Sequence, residues 1–211
     1  MAKTVDKSSY KVRLVDSLID KDLRIFGAIC IEGPKWCGKT WTSSYHANSE
    51  FLVGDPSGNF SNRTLAEIEP YKVLEGNTPR LIDEWQEVSS LWDATRAFVD
   101  RNNVKGQIIL TGSSTPVHKG ILHSGTGRIK NVRMNTMSLY ESGDSTGDIS
   151  LMDLCQNKFE AKIYEQTSLE HLAYLIVRGG WPGNTSTGYD DCDELSLSYM
   201  ENIIKTDLDQ L

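Results

Sequence analysis

The sequence predicts an α/β domain built on a five-stranded parallel sheet and followed by a small helical subdomain. Three observations carry this prediction. Short apolar runs alternate with amphipathic stretches over the first two-thirds of the chain, the pattern of βαβ units whose strands are buried on both faces. A glycine-rich junction at residues 33–40 joins the first of those runs to the amphipathic stretch behind it. Strand signals stop after about Met134, and helical spacing takes over.

Taken in order, the strand candidates are residues 25–32 (IFGAICIE), 51–54, 79–83 (PRLID), 107–111 (QIILT) and 129–134. Helices are expected between them, over 15–22 ahead of the first strand, 39–47 directly after it, and 63–68. A further one over 88–101 carries Leu91, Ala94, Thr95, Phe98 and Val99 at helical spacing. Beyond the last strand, helices are expected over 169–178 and 193–209, with a glycine-rich loop at 179–188 between them. The domains are therefore 1–135, the α/β domain, and 136–211, a helical lid-like subdomain. The last helix runs to Leu211 without a cap or a polar tail, which suggests an isolated module of a longer protein.

At 211 residues and 38% hydrophobic composition, the chain can bury a substantial core. Its 22 basic and 29 acidic residues give a net charge of -7, so no global basic field draws it to nucleic acid, which the charge does not support as a partner. The N-terminus lacks the apolar core of a signal peptide and no apolar run is long enough to span a bilayer. A cytoplasmic protein without a membrane partner is expected. Cys30, Cys37, Cys155 and Cys192 form no CxxC pair and no metal-ligand spacing with the histidines, so they read as reduced thiols.

The chemistry concentrates in four elements. Gly33-Pro34-Lys35-Trp36-Cys37-Gly38-Lys39-Thr40 fits G-x-x-x-x-G-K-[ST] between a strand and a helix, so the chain is read as a P-loop NTPase with residues 33–40 and the adjoining Trp41 as the nucleotide-binding set. Glycines let successive N–H groups turn inward, the helix N-terminus adds positive potential, Lys39 reaches the β- and γ-phosphates, and the Thr40 hydroxyl is offered to Mg²⁺. A chance match to this pattern is expected in roughly one chain in a hundred of this size, before the flanking strand and helix are required. The second element, Leu81-Ile82-Asp83-Glu84, ends an apolar strand in two carboxylates. Asp83 is assigned to the Mg²⁺ shell, and Glu84 to orienting and polarising the attacking water. Third, Leu110-Thr111-Gly112-Ser113-Ser114 ends a buried strand in hydroxyls, of which Ser113 is the chosen sensor of the γ-phosphate; plain turn chemistry is its competitor. Fourth, Gly125-Thr126-Gly127-Arg128 delivers an arginine that would stabilise charge on the transferring phosphate in cis or from a neighbouring subunit, unless it only anchors the next strand.

These motifs, in the order GPKWCGKT, LIDEWQ, LTGSS and GTGR, followed by MSLYES and GGWP, resemble the bacterial and archaeal AAA-type ATPases that carry a C-terminal domain of unknown function. The resemblance covers about residues 10–207. It implies ATP and Mg²⁺ as ligands, an AAA-like sheet of order 5-1-4-3-2, Lys39 and Thr40 as the Walker A pair, and Asp83 and Glu84 as the Walker B pair. It also implies Ser113 as the sensor and Arg128 as the arginine ahead of the fifth strand. Family members continue into a second domain often likened to a nuclease-type fold, and this chain ends where that would start. The expected function is Mg-dependent ATP hydrolysis coupled to a partner or to that C-terminal domain, with a homo-oligomer as a further candidate.

Rival readings are a nucleotide-gated binding switch with little hydrolysis, a small-molecule kinase, and a GTPase. Asp55-Pro56-Ser57-Gly58 fits the D-x-x-G of the last, yet only about fifteen residues separate it from Lys39, too few for a helix, switch and strand. Asp55 reads as a turn, and Glu160 is the wrong acid in Asn157-Lys158-Phe159-Glu160. Several other residues are set aside. Gly179-Gly180-Trp181-Pro182 reads as packing and Arg178 as a helix-end cation. Tyr10 and Arg13 would border an adenine pocket or pin a surface segment to the core. His46, His118, His123 and His171 are isolated in sequence, and Cys37, if exposed, would be open to oxidation.

Overall fold

A computed structural model of the chain describes residues 7–113, 122, 124–160 and 167–207. The chain divides into two compact units, Met1–Asn135 and Thr136–Leu211. The first opens with α1 (Asp16–Ile25), β1 (Ala28–Gly33), α2 (Lys39–His46), β2 (Ser49–Leu52), α3 (Ser57–Ile68) and α4 (Pro70–Leu74). It continues with β3 (Arg80–Asp83), α5 (Ser90–Asn102), β4 (Ile108–Ser113) and β5 (Ile129–Arg133). All strand pairs are parallel, in the order β2-β3-β4-β1-β5, which is the expected 5-1-4-3-2 order read from the other edge.

The apolar runs at 28–31 of β1 and 108–110 of β4 are what a central parallel strand requires, since both of its faces are covered by helices. Side chains alternate between two cores. Ala28, Cys30, Ile108, Leu110 and Ile82 join Trp85, Leu91 and Val99 on one face. Ile29, Ile31, Ile109, Leu81 and Val132 join Ile19 and Met134 on the other. This places the C-terminal ends of β1, β3 and β4 side by side, where the motifs stand.

Several element bounds differ from the expectations. The first strand begins at Ala28 instead of residue 25, because α1 runs on to Ile25 and the Phe26 N–H still donates to Asp22 O. β2 starts at the polar Ser49, since at the sheet edge pairing with Arg80 and Leu81 of β3 defines the strand more than apolarity does. In α3, Gly58, Asn59 and Phe60 carry φ values of 61°, 55° and 59°, so the right-handed helix starts only beyond them, near the expected 63–68. The five-residue α4 has no counterpart among the expected helices; with Pro70 in its first turn, it is too short to show a period.

The second unit contains α6 (Leu139–Ser142), α7 (Leu151–Cys155), α8 (Leu169–Arg178) and α9 (Cys192–Asp207). α6 and α7 were not among the expected helices. Each begins at a serine whose hydroxyl accepts an N–H of the first turn, and in α6 Glu141 completes a capping box with Ser138. Within this unit Arg178 is buried and its Nη2 lies 2.6 Å from Asp144 Oδ2. That hydrogen bond, aided by the guanidinium charge, holds the Asp144 carboxyl below the usual range. Its partner is thus a carboxylate, so the helix dipole alone is not what holds this cation. Asn184 Nδ2 donates to Arg178 O and Cys192 O, joining the end of α8 to the start of α9. Among the described residues no helix is long and apolar enough to cross a membrane.

Candidate nucleotide site

β1 ends at Gly33, and the loop that follows turns sharply into α2. A Cβ at Gly33 would sit 2.3 Å from Met134 O, so only glycine lets the loop leave the sheet this close to the β5 exit. Trp36 and Gly38 take left-handed backbone, with φ of 63° and 102°. Lys39 opens α2 and is buried, and its Nζ donates to Gly33 O and Pro34 O at 3.0 Å each. The ammonium is thereby folded back across the loop. Lys35 is exposed, and Trp36 and Trp41 are 62% and 49% exposed at the loop surface. Cys37, by contrast, is fully buried and burial pushes its thiol up, so the oxidation expected of an exposed cysteine does not apply.

The carboxylates of β3 arrive across the sheet. Thr40 Oγ1 donates to Asp83 Oδ1 at 3.0 Å, joining the end of the loop to the end of β3. Thr111 of β4 also donates to Asp83 Oδ1 and accepts the Glu84 N–H at 3.1 Å. Glu84 itself has φ of 56°, and this left-handed turn carries the chain off the strand with Gln86 Nε2 donating to Glu84 Oε2. Burial raises the Asp83 carboxyl, against the hydrogen bonds of Thr111 and Thr40 and the charge of Lys39. Burial likewise raises Glu84, with Gln86 opposing and the charge of Asp83 adding to the rise.

Thr40 and Asp83 offer two hard oxygen donors side by side, and the carboxyl is destabilised as an anion by burial. A divalent cation relieves that condition, so these residues fit Mg²⁺. Among the described residues no cluster of three or more His, Cys, Asp or Glu could hold a metal. The remaining ligands would therefore be phosphate oxygens and water, the usual arrangement for Mg²⁺ on a nucleotide.

Not every candidate residue joins this group. Ser113 ends β4 opposite Gly33, but its side chain lies outside the described residues. His118 and His123 lie outside them as well. Arg128 is not brought to the phosphate loop of its own chain. Its neighbour Ile129 pairs with Ala28 at the start of β1, whereas the loop leaves from the end of β1, about five residues or roughly 16 Å along the strand. Arg128 Nε instead donates to Asp100 Oδ1 at 2.7 Å, and its carbonyl accepts the Ala28 N–H. Of the two alternatives, action in cis or from a neighbouring subunit, this placement does not supply the first: the parallel register of β5 puts Arg128 at the N-terminal end of the strands, opposite the end from which the loop leaves.

Asp55 forms the expected turn, accepting the Ser57 N–H at 2.9 Å. Tyr10 and Arg13 belong to a segment that is pinned to the core. Tyr10 Oη donates to Asp16 and accepts from the Thr42 hydroxyl of α2, and Arg13 is 6% exposed with Nη1 donating to Cys37 O. His46 is isolated only in sequence, since its ring nitrogens lie 3.0 Å from Asp16 Oδ1 and Asp20 Oδ1. The sequence reading missed Thr111 and Gln86. Thr111 stood in the hydroxyl cluster LTGSS, and a rule favouring the hydroxyl on the strand beside β3 would have found it.

Comparison with known proteins agrees with this fold. A family model described as an AAA domain matches residues 26–143. The fold is similar to that of the Walker-type ATPase PABY2304 of Pyrococcus abyssi, with a TM-score of 0.56 and 12% sequence identity. That match covers 100% of this chain and 78% of the archaeal one, and at this identity it is a likeness of fold. A search of curated protein sequences finds no match.

Proposed function

The chain belongs to the AAA domain family, and from that premise we propose that it is a Mg-dependent ATPase module. The observation that carries the reading is the convergence of Lys39, Thr40, Asp83 and Glu84 at the ends of β1 and β3, with Thr40 bonded to Asp83. In this reading residues 33–41 bind the phosphates, through every backbone N–H of the loop that faces them, Pro34 having none. Lys39 turns its ammonium from the carbonyls of Gly33 and Pro34 toward the β- and γ-phosphate oxygens, where it offsets charge in the transition state. Glu84, desolvated and more basic than an exposed glutamate, orients the attacking water and accepts its proton. Thr111 fixes Asp83 and the Glu84 backbone, and Ser113 would sense the γ-phosphate. Bound through Thr40 and Asp83, Mg²⁺ would supply charge neutralisation on the phosphates.

A second reading is favoured by two observations. Gln86 holds the Glu84 carboxylate and Arg128 lies far along the sheet, so the isolated module would turn over slowly and behave as a nucleotide-gated switch. Arg128 would then act on a neighbouring subunit's nucleotide in a homo-oligomer, or rearrange when a partner or a C-terminal domain docks. The test of the main reading is calorimetric titration with ATP and Mg²⁺. Wild type should bind, Lys39→Ala should lose binding, and equal affinity in both would refute the P-loop assignment. GTP should bind more weakly than ATP, because no guanine-reading N-K-x-D element is present.

A further inference from the structure

We propose that Arg13 is a positioning residue for phosphate binding, holding the Cys37–Gly38 peptide so that the Gly38 N–H faces the bound phosphates. The inference rests on the nucleotide reading of the loop and adds a residue from outside the motif. Arg13 precedes α1, yet its guanidinium reaches two distant carbonyls, Nη1 donating to Cys37 O and Nη2 to Asn135 O, both at 2.9 Å. The arginine is itself fixed, because its backbone N–H donates to Asp16 Oδ2 at 2.7 Å. Asp16 in turn accepts from Tyr10 Oη, which itself accepts from the Thr42 hydroxyl of α2, while the Tyr10 ring stacks on Tyr45 at 4.1 Å. Residues 10–16 thus grip both the loop and the helix that carries Lys39 and Thr40.

The consequence for phosphate follows from peptide geometry. The Cys37–Gly38 peptide is trans, and in a trans peptide the carbonyl and the following N–H point to opposite sides. With Cys37 O drawn to Arg13, the Gly38 N–H is turned away from it. This peptide needs holding, because Gly38 sits at φ 102° and a glycine without Cβ gives little resistance to a peptide flip. A flip would present the Cys37 carbonyl oxygen to the phosphates and remove one of the cradle's donors. Lys39 restrains Gly33 O and Pro34 O in the same way, so two cations hold three loop carbonyls.

The experiment measures ADP affinity and the Gly38 amide resonance in protein labelled with ¹⁵N-glycine, for wild type, Arg13→Lys and Arg13→Ala. In wild type the Gly38 amide proton should move downfield on ADP binding, as a hydrogen bond to a charged oxygen requires. Arg13→Lys keeps a cation but loses the fork, and should weaken ADP roughly tenfold to a hundredfold with loss of that downfield shift. Millimolar methylguanidinium, but not methylammonium, should restore part of the affinity of Arg13→Ala. Unchanged ADP affinity and an unchanged Gly38 shift in Arg13→Lys would overturn the inference and leave the nucleotide reading standing. A wild-type Gly38 amide that stays in place while ADP binds would do the same, even were both variants unfolded. Failure of wild type to bind ADP would overturn both.

Discussion

Thr40 and Asp83 stand 43 residues apart in sequence, and the Thr40 hydroxyl donates to the Asp83 carboxylate at 3.0 Å. Loop and strand end are thereby joined. In the proposed function both oxygens turn to Mg²⁺, so Thr40→Val, which keeps the shape and removes the hydroxyl, should weaken ATP binding in the presence of Mg²⁺ by about tenfold or more. ADP binding measured in EDTA should change little. Equal losses with and without Mg²⁺ would show that the hydroxyl serves the loop and not the metal.

Glu84→Gln should keep ATP affinity within about twofold and lower turnover by roughly 10² or more, since it preserves shape and removes the group that takes the proton from water. Single-turnover phosphate release, measured beside calorimetric affinity, separates the two effects. Turnover that survives the substitution assigns the base elsewhere.

Thr111 is fully buried and serves two partners, donating to Asp83 and accepting the Glu84 N–H. Thr111→Val leaves that partly buried N–H without its acceptor, at a cost of about 1 kcal/mol or more. The melting temperature should fall by several degrees and turnover should drop, while Thr111→Ser, which retains the hydroxyl, should recover both. A valine variant as stable and active as wild type would remove Thr111 from the site.

Acid stability should depend on Asp16. Burial by itself would raise this carboxyl, but hydrogen bonds from His46, the Arg13 N–H and Tyr10 outweigh it and hold the group below the usual aspartate range. A carboxyl depressed on folding contributes stability that is present above its unfolded value of about 4 and lost as pH falls through the lower folded value. The difference in melting temperature between wild type and Asp16→Asn should therefore be constant from about pH 5 to neutrality and shrink below about pH 4. A gap that does not narrow in acid would mean that the ionised carboxylate is not what stabilises this corner.

Arg128→Ala should leave ATP affinity unchanged, because the arginine is paired with Asp100 far from the loop of its own chain. If it serves a neighbouring subunit, turnover per subunit should rise with protein concentration in wild type and not in the variant. Mixing Arg128→Ala with Glu84→Gln should restore activity, and an arginine finger is worth roughly 10³ to 10⁵ in rate. Loss of nucleotide affinity in dilute Arg128→Ala would contradict the placement seen here.

The strands and the loop at 33–40 were legible because each is written in contiguous residues, and the parallel sheet because the strands alternate with helices. Apolar runs bounded by turn residues mark β1, β3 and β4, and a glycine-lysine-threonine turn marks the start of α2. Short elements were not legible. α4, α6 and α7 span four or five residues each, too few for a period of 3.6 to register. β2 was displaced toward its apolar residues, because an edge strand is defined by pairing with its neighbour and not by burial on both faces.

The sequence by itself determined the phosphate loop, the carboxylate pair that follows the apolar run of β3, and an α/β architecture, since local spacing and polarity suffice for each. Only the tertiary structure decided which distant groups meet them. Thr111 serves Asp83 because β4 pairs directly with β3, and Arg13 reaches Cys37 O from a segment that no motif covers. Arg128 lies away from the loop because β5 pairs with β1 in a register that sets Ile129 beside Ala28. Registers and long-range hydrogen bonds arise from the packing of the whole sheet, and neither composition nor spacing in the linear chain encodes the end of a strand at which a side chain will stand.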